Sequence, residues 1–579
     1  MAITTLTSSI LALLPFTSTP ILPTILPTIL LPTILLLTLA FLAWNTSSYL
    51  SLSHIPGPFL CHLTNLPRTR WVLSNTAHAT HIRLHETYGP LVRFGPNMVS
   101  VSDPREIATL YSFTKTFRKS DFYRVLVFYS RGKPAPTIFG TQDEGLHRLL
   151  RRPIVGVYGM SNLLTFEPLV DRTIEYLVGR LEEEFVDENN EFGQDEAGKE
   201  SKMQEGRACD LGQWLQMFAF DVMGELTFLR RLGFLESGAD VEGIMGALWA
   251  YFWKAAPLTQ IPWVDRLWAK NPVLQRFQRV RMNPIVGFGL ARIAERRAVV
   301  AAAKAKAKAG DDGGVVDAKE ENEGTKSRDF LSRFIEAMEK DGSLPPWALS
   351  AWTTSNIAAG SDTTAILLRT IFHRLLSHPS DLSRLLVELT TLPKTDKPAS
   401  FKDTRTLPFL DAVIKEAGRL HPPFGLPLER VVPDEGATIC GFRLKAGTVV
   451  GMSAWVVHRD KETFGEDAGE WRPERWLQDG VKGEGREEWE ARRKKMEAAL
   501  LTFGAGHRVC IGKNISYLEV YKVVPELLRR FEISFAETGC PGWKVENRWF
   551  VNQTGLVVKL KKREALPSND GSVKGIASI

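Results

Sequence analysis

The chain has 579 residues, of which 44% are hydrophobic, and it carries a formal net charge of +6 at pH 7. This length and apolar content suffice for a large buried core, which excludes a globally disordered chain. The charge is modest and no basic stripe is interleaved with aromatic residues, so nucleic-acid binding is not supported. The five cysteines are widely spaced and form no CxxC pair, which argues against a disulfide framework and against structural zinc.

The N-terminal segment predicts a membrane anchor, because residues 2–67 contain no Asp, Glu, Lys or Arg. About 20 apolar residues are enough to span a bilayer as a helix, but prolines interrupt the first part of this segment. The best candidate for a spanning helix is therefore 31–49, within an anchor and linker of residues 1–54. A cleaved signal peptide and an interfacial hairpin that does not cross the bilayer are the alternatives.

The remainder, residues 55–579, predicts one large domain that is mainly α with small β-sheets (α+β). A helical bulk of several hundred residues fits the composition, and short strands are expected where β-branched residues are frequent. These strand regions are 91–102, 438–450 and 550–560. Two charged, low-complexity stretches, 182–207 and 300–327, are expected to be surface insertions or disordered loops.

Basic residues recur in two further segments of the chain. His147 and Arg151 lie one helical turn apart in LHRLLRRP, and Arg430 lies in PLERVVP. Taken alone, such residues are usually solvated surface groups. Their interpretation therefore depends on the motifs that follow.

A long apolar segment, 346–376, contains the motif AGSDTT. Asp362 and Thr363 in this motif offer a carboxylic acid and a hydroxyl, which a proton relay requires. Gly360 is a weak helix former, and a Thr hydroxyl can bond to the carbonyl four residues back, so the helix is expected to open locally here. The alternative is that these hydroxyls only face solvent or bond to the backbone.

An acidic and a basic residue, Glu416 and Arg419, lie three apart in KEAGRLHPP, so their side chains face each other across one helical turn. Arg475 follows in WRPERW. An isolated pair of this kind is usually a solvated helix pair worth a few tenths of a kcal/mol.

The glycine-rich segment FGAGHRVCIG presents Cys510 just before an apolar-periodic helix. Gly504 and Gly506 allow the backbone to turn sharply and approach a flat macrocycle, and Gly512 leaves space after the cysteine. Backbone amides and the positive end of the helix dipole stabilise a thiolate at this position, and a thiolate on iron favours O–O cleavage. The alternative is a buried free cysteine in a turn.

These segments, in this order, resemble the cytochrome P450 family from about Ile55 to the C-terminal strands, and FGAGHRVCIG is similar to its heme-binding signature. The resemblance implies the cytochrome P450 fold and heme b, with Cys510 as the axial iron ligand. The other cofactor-binding residues that it implies are Phe503, Gly504 and Gly512 beside the ring and Arg508, His147, Arg151 and Arg430 at the propionates. It also implies a structural network of Glu416, Arg419 and Arg475 and a catalytic pair of Asp362 and Thr363.

The implied activity is that of a heme-thiolate monooxygenase that uses O2 to oxidise a lipophilic small molecule. The segments FRKSDFYRVL and FDVMGELTF are similar to the fungal pisatin-demethylase-like branch. That likeness implies hydroxylation or oxidative dealkylation of a terpenoid, polyketide or phenolic compound in secondary metabolism or detoxification. A reductase-independent heme-thiolate isomerase or dehydratase, and a non-catalytic heme-binding membrane protein, are the alternatives.

The resemblance also implies partners and a location. Because the sequence contains no Rossmann-type GxGxxG motif or flavin-domain signature, electrons are expected from NADPH through a separate flavoprotein reductase. Lys513 and the basic run 492–495 are candidates for its docking face, although the run is as well explained as a solvated surface. The expected location is the endoplasmic reticulum membrane, with a single pass and with the catalytic domain facing the cytosol.

A set of aromatic and apolar residues is expected, from the resemblance, around the substrate. It consists of Phe122, Tyr123, Phe128, Tyr129, Trp249, Tyr251, Phe252, Trp253, Trp263, Phe424, Leu426, Trp549 and Phe550. Such a pocket suits a lipophilic substrate.

Overall fold

The computed structural model describes residues 32–33, 35–36, 39, 46, 50–114, 117–130, 133–186, 207–271, 273–274, 284–308, 329–564 and 566. Most of the predicted span and of the two charged stretches lies outside these residues. By their internal contacts, residues 1–55 and 56–579 form separate compact units. Within the described ranges, no helix combines the length and apolar character needed to cross a membrane.

Helices make up most of the second unit, as the sequence predicts. In chain order they are α1 (Phe59–Leu63), α2 (Leu66–Leu73), α3 (Ala77–Tyr88), α4 (Ile107–Leu110), α5 (Phe122–Val125), α6 (Glu144–Arg151), α7 (Met160–Leu163), α8 (Glu167–Phe185), α9 (Leu211–Phe228), α10 (Phe234–Ser237), α11 (Ile244–Thr259), α12 (Pro262–Leu267), α13 (Pro284–Lys308), α14 (Phe330–Lys340), α15 (Ala348–Ser377), α16 (Pro379–Leu389), α17 (Phe401–Thr404), α18 (Pro408–Leu420), α19 (Ala454–Val457), α20 (Lys461–Phe464), α21 (Arg486–Ala498) and α22 (Lys513–Arg530). Short 3-10 helices lie at Pro104–Glu106, Val155–Tyr158, Leu164–Phe166, Val241–Gly243, Pro473–Trp476, Gln478–Gly480 and Gly506–Arg508.

The strands form small sheets, which confirms the predicted fold class. They are β1 (Leu91–Gly95), β2 (Met98–Val101), β3 (Phe128–Ser130), β4 (Lys133–Ala135), β5 (Cys209–Asp210), β6 (Arg430–Val431), β7 (Ala437–Ile439), β8 (Phe442–Leu444), β9 (Val449–Gly451), β10 (Phe531–Phe535), β11 (Lys544–Arg548), β12 (Phe550–Thr554) and β13 (Val557–Lys562). The largest sheet has the order β1-β2-β9-β6, and a second has the order β10-β13-β5. Hairpin β1–β2 pairs Leu91 with Val101, and each of the three predicted strand regions contains strands.

Helices α9 and α15 form the centre of the second unit. α15 is 30 residues long and packs against α9, α13, α18 and α22. The N-terminus of α9 is capped by a hydrogen bond from Gln213 N to the Asp210 carboxylate (3.1 Å). Within this helix, only Gln213 and Gln216 are not buried. A helix that is buried on nearly every side is typical of a domain centre. The packing of α15 against α9 therefore holds the functional groups on α15 in fixed positions.

A proline lies inside α22, where the sequence predicts either a kink or the start of a second helix. The helix runs without interruption through Pro525 to Arg530. Pro525 is buried, as are Val523, Val524 and Leu527 beside it. Their burial offsets the loss of one backbone hydrogen bond, so a second helix does not begin there.

A buried ion network joins α18 to the segment after α20. Glu416 lies 2.7 Å from Arg419 Nη2 and 2.9 Å from Arg475 Nε, and all three side chains are buried. Trp476 Nε1 also donates to this carboxylate, at 2.9 Å. Burial alone raises the pKa of Glu416, but the hydrogen bonds and charges of the two arginines hold it below its ordinary value. The carboxylate is therefore ionised and fully paired, as the predicted structural network requires.

Candidate active site

The cysteine segment folds into a tight loop ahead of α22. Cys510 N donates to Phe503 O at 2.9 Å, which closes the loop. Gly504 and Gly506 have φ values of +70° and +66°, a left-handed region that favours glycine. A Cβ at Gly506 would lie 1.7 Å from Tyr111 O, so this glycine is needed for a close backbone contact. The loop shape thus depends on glycine at both positions.

The Cys510 thiol faces a cavity and is accessible from it. Burial raises the pKa of this thiol, whereas hydrogen bonds from the amides of Gly512 and Lys513 and the charge of Arg151 oppose that shift. α22 begins at Lys513, so the positive end of its dipole lies beside the sulfur. These groups are suited to stabilise a thiolate once a metal replaces the proton.

The cavity has a volume of about 300 Å³ and is lined by several parts of the chain, three of which carry the predicted site residues other than Arg430. The cysteine loop contributes Phe503, Gly504 and Gly512, and α15 contributes a stretch that includes Ala359 and Thr363. Helix α6 contributes His147 and Arg151. All predicted cofactor-binding residues line this cavity, namely Phe503, Gly504, Arg508, Cys510, Gly512, His147, Arg151 and Arg430. The structure therefore brings together residues that lie as far as about 360 positions apart in the chain.

Positive charge accumulates in the cavity. Lys119, Arg151, Arg430 and Arg508 all line it, and no carboxylate does so among the described residues. Lys119 was not recognised as a site residue in the sequence. Its Nζ donates to Phe139 O at 2.6 Å, and burial together with neighbouring arginines lowers its pKa well below the usual range. A site of this charge is suited to an anionic ligand.

Glu144 is the one acidic partner described close to these cations, and sequence reasoning did not single it out. Its carboxylate lies 2.7 Å from Arg508 Nη2 and 3.0 Å from His507 Nε2. Burial alone raises the pKa of Glu144, but hydrogen bonds from His507 and Arg508 lower it to about 2. The ion pair fixes the guanidinium of Arg508 at the edge of the cavity.

His147 supplies a polar atom without a protein partner. Its Nε2 is buried and forms no hydrogen bond within the described structure. Burial, and next the charge of Arg508, lowers the pKa of His147 to about 3, so the imidazole is neutral. A neutral imidazole that carries its proton on Nε2 can donate a hydrogen bond to a carboxylate. This nitrogen is therefore suited to a carboxylate of a bound ligand.

These observations fit a flat macrocycle that carries carboxylates and a thiolate-ligated metal. Three arginines, the amine of Lys119 and the unpaired nitrogen of His147 match the carboxylates, and Cys510 is a soft ligand suited to iron. Left-handed glycines in the loop keep side chains away from the ring. The donor set therefore accommodates the heme that the sequence predicts.

The predicted pair on α15 is divided between two environments. Thr363 lines the cavity, and its Oγ1 donates to Ala359 O at 2.8 Å, which confirms the expected bond to the backbone four residues back. The carboxylate of Asp362 instead accepts a hydrogen bond from Gln216 Nε2 of α9 at 2.5 Å. Burial raises the pKa of Asp362 to about 6, against the lowering effects of Arg369 and Gln216. Only the alcohol of the pair thus faces the cavity directly.

Gly360 has a different role from the one expected. α15 is helical throughout, and a Cβ at Gly360 would lie 2.6 Å from Met223 Sδ of α9. The glycine therefore permits close helix packing, and the predicted local opening of the helix is not seen.

Six of the twelve aromatic residues expected around the substrate line the cavity. They are Tyr123, Tyr251, Phe252, Phe424, Trp549 and Phe550, joined by Leu426 and by Phe139, which was not predicted. Phe122, Tyr129, Trp249, Trp253 and Trp263 lie elsewhere, and the side chain of Phe128 is outside the described structure. Trp263 is 63% exposed, which excludes it from an internal wall.

Comparison with known proteins identifies the family, because a profile described as Cytochrome P450 matches residues 53–560. The chain belongs to the cytochrome P450 family. A cytochrome P450 monooxygenase of Aspergillus terreus is 52% identical over 491 residues, which cover 84% of this chain and 91% of the relative. The cytochrome P450 monooxygenase cicH of Emericella nidulans is 47% identical over 520 residues, covering 89% and 95%. The cytochrome P450 monooxygenase mpaDE of Penicillium roqueforti is 44% identical over 520 residues, covering 89% of this chain and 56% of the relative.

This cytochrome P450 is a heme-thiolate monooxygenase that takes electrons from NADPH through a reductase partner. When bound, heme iron with a thiolate ligand supplies the activation of O2. Cys510 would hold the iron, and Lys119, His147, Arg151 and Arg430 would hold the heme carboxylates. Arg508, which is already paired with Glu144, would add a further positive charge at the same edge.

Proposed function

We propose that this enzyme hydroxylates or oxidatively dealkylates a lipophilic terpenoid, polyketide or phenolic compound, and that it belongs to the pisatin-demethylase-like branch. The observation that carries the proposal is an aromatic wall of the cavity, formed by Tyr251, Phe252, Phe424, Trp549 and Phe550. An apolar, aromatic wall with few polar groups suits a lipophilic substrate.

The rings of this aromatic wall pack on one another. Phe550 lies 4.6 Å from Phe252 and 5.2 Å from Phe424 between ring centroids, and Phe424 lies 5.0 Å from Trp549. Such contacts hold large rings in fixed positions. Since the rings come from α11, from the segment before β6 and from the β11–β12 hairpin, the wall unites distant parts of the chain. This supports a substrate with a sizeable apolar surface.

We assign proton delivery to Asp362 and Thr363 on α15. Thr363 has a hydroxyl in the cavity, where it can pass a proton to the reacting oxygen. Asp362 supplies a buried acid next to it in the chain, with a pKa raised to about 6 by burial. An acid with this pKa is able to exchange protons near neutral pH.

We further propose that the protein is anchored in the endoplasmic reticulum membrane with its catalytic domain on the cytosolic side. The uncharged N-terminal segment supports an anchor. Large apolar side chains are also exposed on α1, α2 and α12 of the catalytic domain, for example Phe59 (67%), Leu66 (64%) and Trp263 (63%). Helix α12 packs on α11, which in turn packs on α2. Exposed apolar groups of this kind mark membrane or protein contact surfaces.

The reductase is proposed to dock near Lys513, which lies next to the cysteine loop. The basic run 492–495 is a weaker candidate, because its charges are largely paired within the protein. Arg492 pairs with Glu484 (2.6 Å), Arg493 with Glu497 (3.0 Å) and Lys495 with Glu462 (3.2 Å). A cation that already has a carboxylate partner offers less attraction to an acidic surface.

The proposal is tested by producing the full chain in microsomes with a reductase and screening lipophilic terpenoids, polyketides and phenolic compounds. We expect a product that gains one oxygen atom, or loses an alkyl group, only when O2 and NADPH are both supplied. Product formation without NADPH would favour the isomerase class instead. Heme binding with no oxygen consumption for any compound would favour a non-catalytic protein.

A further inference from the structure

Glu144, the first residue of α6, binds the guanidinium of Arg508 through two of its donors. The carboxylate accepts from Arg508 Nη2 at 2.7 Å and from Arg508 Nε at 3.1 Å. A third donor, on Nη1, is directed to Ile138 O at 3.2 Å. An arginine has five N–H donors, so two of them remain for a ligand in the cavity that Arg508 lines.

The same carboxylate acts on other basic groups nearby. His507 Nε2 lies 3.0 Å from Glu144 Oε2, and His147 Nδ1 lies 3.8 Å from the same oxygen. Burial lowers the pKa values of Lys119 and His147, whereas the charge of Glu144 acts on both in the opposite direction. One acid therefore influences four basic residues at one edge of the cavity.

The balance of charge accounts for an acid at this place. The side chain of Arg508 is only 3% exposed, and among the described residues no carboxylate lines the cavity itself. A buried charge without a partner is costly, so the guanidinium needs a counter-charge while the cavity holds no ligand. Glu144 is more exposed (22%) and supplies this charge from outside the cavity.

A carboxylate that neutralises a cation also competes with an anionic ligand for it. The ligand expected at this edge is heme, whose own carboxylates require the same positive charge. A fixed negative charge nearby repels those carboxylates, and it also disfavours the addition of an electron to the iron. The two effects have the same electrostatic cause.

We infer that Glu144 is a positioning residue that serves as the resident counter-ion of the heme edge. It pairs with Arg508 in the heme-free protein, and in the loaded enzyme it weakens heme binding and lowers the reduction potential of the iron. A residue that only held Arg508 in shape would do the reverse, because its loss would loosen the guanidinium and weaken heme binding. No substrate takes part, so the inference does not depend on the proposed substrate class.

Glu144→Gln tests the inference, because glutamine keeps the shape of the side chain and an acceptor oxygen but removes the charge. The heme-loaded full chain is mixed with an excess of a heme-acceptor protein, and the rate of heme transfer is recorded. We expect Glu144→Gln to lose heme roughly three- to tenfold more slowly than the wild type. Its reduction potential, measured by spectroelectrochemical titration, should shift to a higher value.

Two further variants separate charge from other effects. Glu144→Asp keeps the charge and should stay close to the wild type in both measurements. Glu184→Gln is the matched control, because Glu184 also pairs with an arginine, Arg180 at 2.9 Å, but lies on α8 and does not line the cavity. It should change neither the rate of heme transfer nor the reduction potential.

Thermal unfolding with and without heme gives a second readout. In the heme-free protein, Glu144→Gln leaves the buried guanidinium of Arg508 without a carboxylate, so the melting temperature should fall. With heme bound, the heme carboxylates take over this role, and the fall should be smaller.

The inference is overturned if Glu144→Gln loses heme as fast as the wild type or faster, if its reduction potential does not rise, or if it fails to fold even when heme is supplied. A loss of stability of equal size with and without heme, or the same shifts in Glu144→Asp, would overturn it as well.

Discussion

Gln216 Nε2 of α9 donates a hydrogen bond to Asp362 Oδ1 of α15 at 2.5 Å, and this contact directs the acid away from the cavity that Thr363 lines. Gln216 Oε1 in turn accepts from Arg369 Nη2 at 2.5 Å. Successive residues on a helix point about 100° apart, so neighbours in sequence face different surroundings. The acid is therefore linked to a buried cation through Gln216, and the alcohol is linked to the cavity.

Because Thr363 faces the cavity and Asp362 faces Gln216, substitutions of these two residues should cause different defects. Thr363→Ala should divert most electrons from product to hydrogen peroxide, because the cavity loses the Thr363 hydroxyl, to which we assign proton delivery. Asp362→Asn should slow turnover on the order of tenfold to a hundredfold, as loss of a general acid does. NADPH consumption, peroxide and product are measured together. Thr370→Val is the control, since its hydroxyl donates to Ile366 O at 2.8 Å outside the cavity; equal effects in Thr363→Ala and Thr370→Val would contradict the assignment.

Asp362 also predicts a pH dependence of stability. Its pKa in the folded protein is raised to about 6 by burial, above the ordinary value of 3.8, so folding favours the protonated form. Ionisation of the acid therefore destabilises the protein: the penalty grows between pH 3.8 and pH 6, is complete above pH 6 and declines as the pH falls. Relative to Asp362→Asn, the free energy of unfolding of the wild type should rise by about 1 kcal/mol from pH 7 to pH 5. Urea unfolding measures it, with exposed Asp434→Asn as the control; an unchanged difference would refute the shift.

The Glu416 network predicts a large loss of stability. Glu416→Gln removes the charge that balances Arg419 and Arg475, and an unpaired buried charge costs about 3–5 kcal/mol. We expect little folded protein and little bound heme. Glu490→Gln is a matched control, because its pair with Arg486 (2.9 Å) is exposed and should be worth less than about 1 kcal/mol. Similar yields of the two variants would contradict the structural role.

Replacing Lys119 should affect the stability of the heme-free protein and the retention of heme in opposite directions. Lys119→Met removes a buried amine whose charged form burial disfavours, so the heme-free protein should be as stable as the wild type or more so. The same change removes a charge that would face a heme carboxylate, and heme should dissociate roughly tenfold faster. Transfer of heme to an acceptor protein measures the rate, with exposed Lys482→Met as the control. If the rates of Lys119→Met and Lys482→Met agree, Lys119 does not contact the cofactor.

The sequence predicted the parts of the site that depend on local patterns. The loop around Cys510, the spacing of Glu416 and Arg419 and the helix with His147 and Arg151 are short-range features, and each is found at its predicted element. The loop and the helix with His147 and Arg151 meet at one cavity, whereas Glu416 and Arg419 lie outside it in the buried network.

Tertiary packing decided what the sequence did not show. Lys119 and Glu144 enter the site only because separate segments meet there, and neither belongs to a short motif. The orientation of Asp362 depends on Gln216, which lies 146 positions earlier in the chain. The sequence predicts helix opening at Gly360, because it does not show that Met223 of α9 packs against this glycine.

The identity of the iron ligand is the central claim, and the reduced, carbon-monoxide-bound difference spectrum tests it most directly. It is recorded for the wild type, for Cys510→Ser and for Cys440→Ser, which changes a cysteine that does not line the cavity. We predict the red-shifted Soret band of a thiolate-ligated heme in the wild type and in Cys440→Ser, and its loss in Cys510→Ser. A band that persists in Cys510→Ser, or its absence from the wild type despite bound heme, would contradict the account.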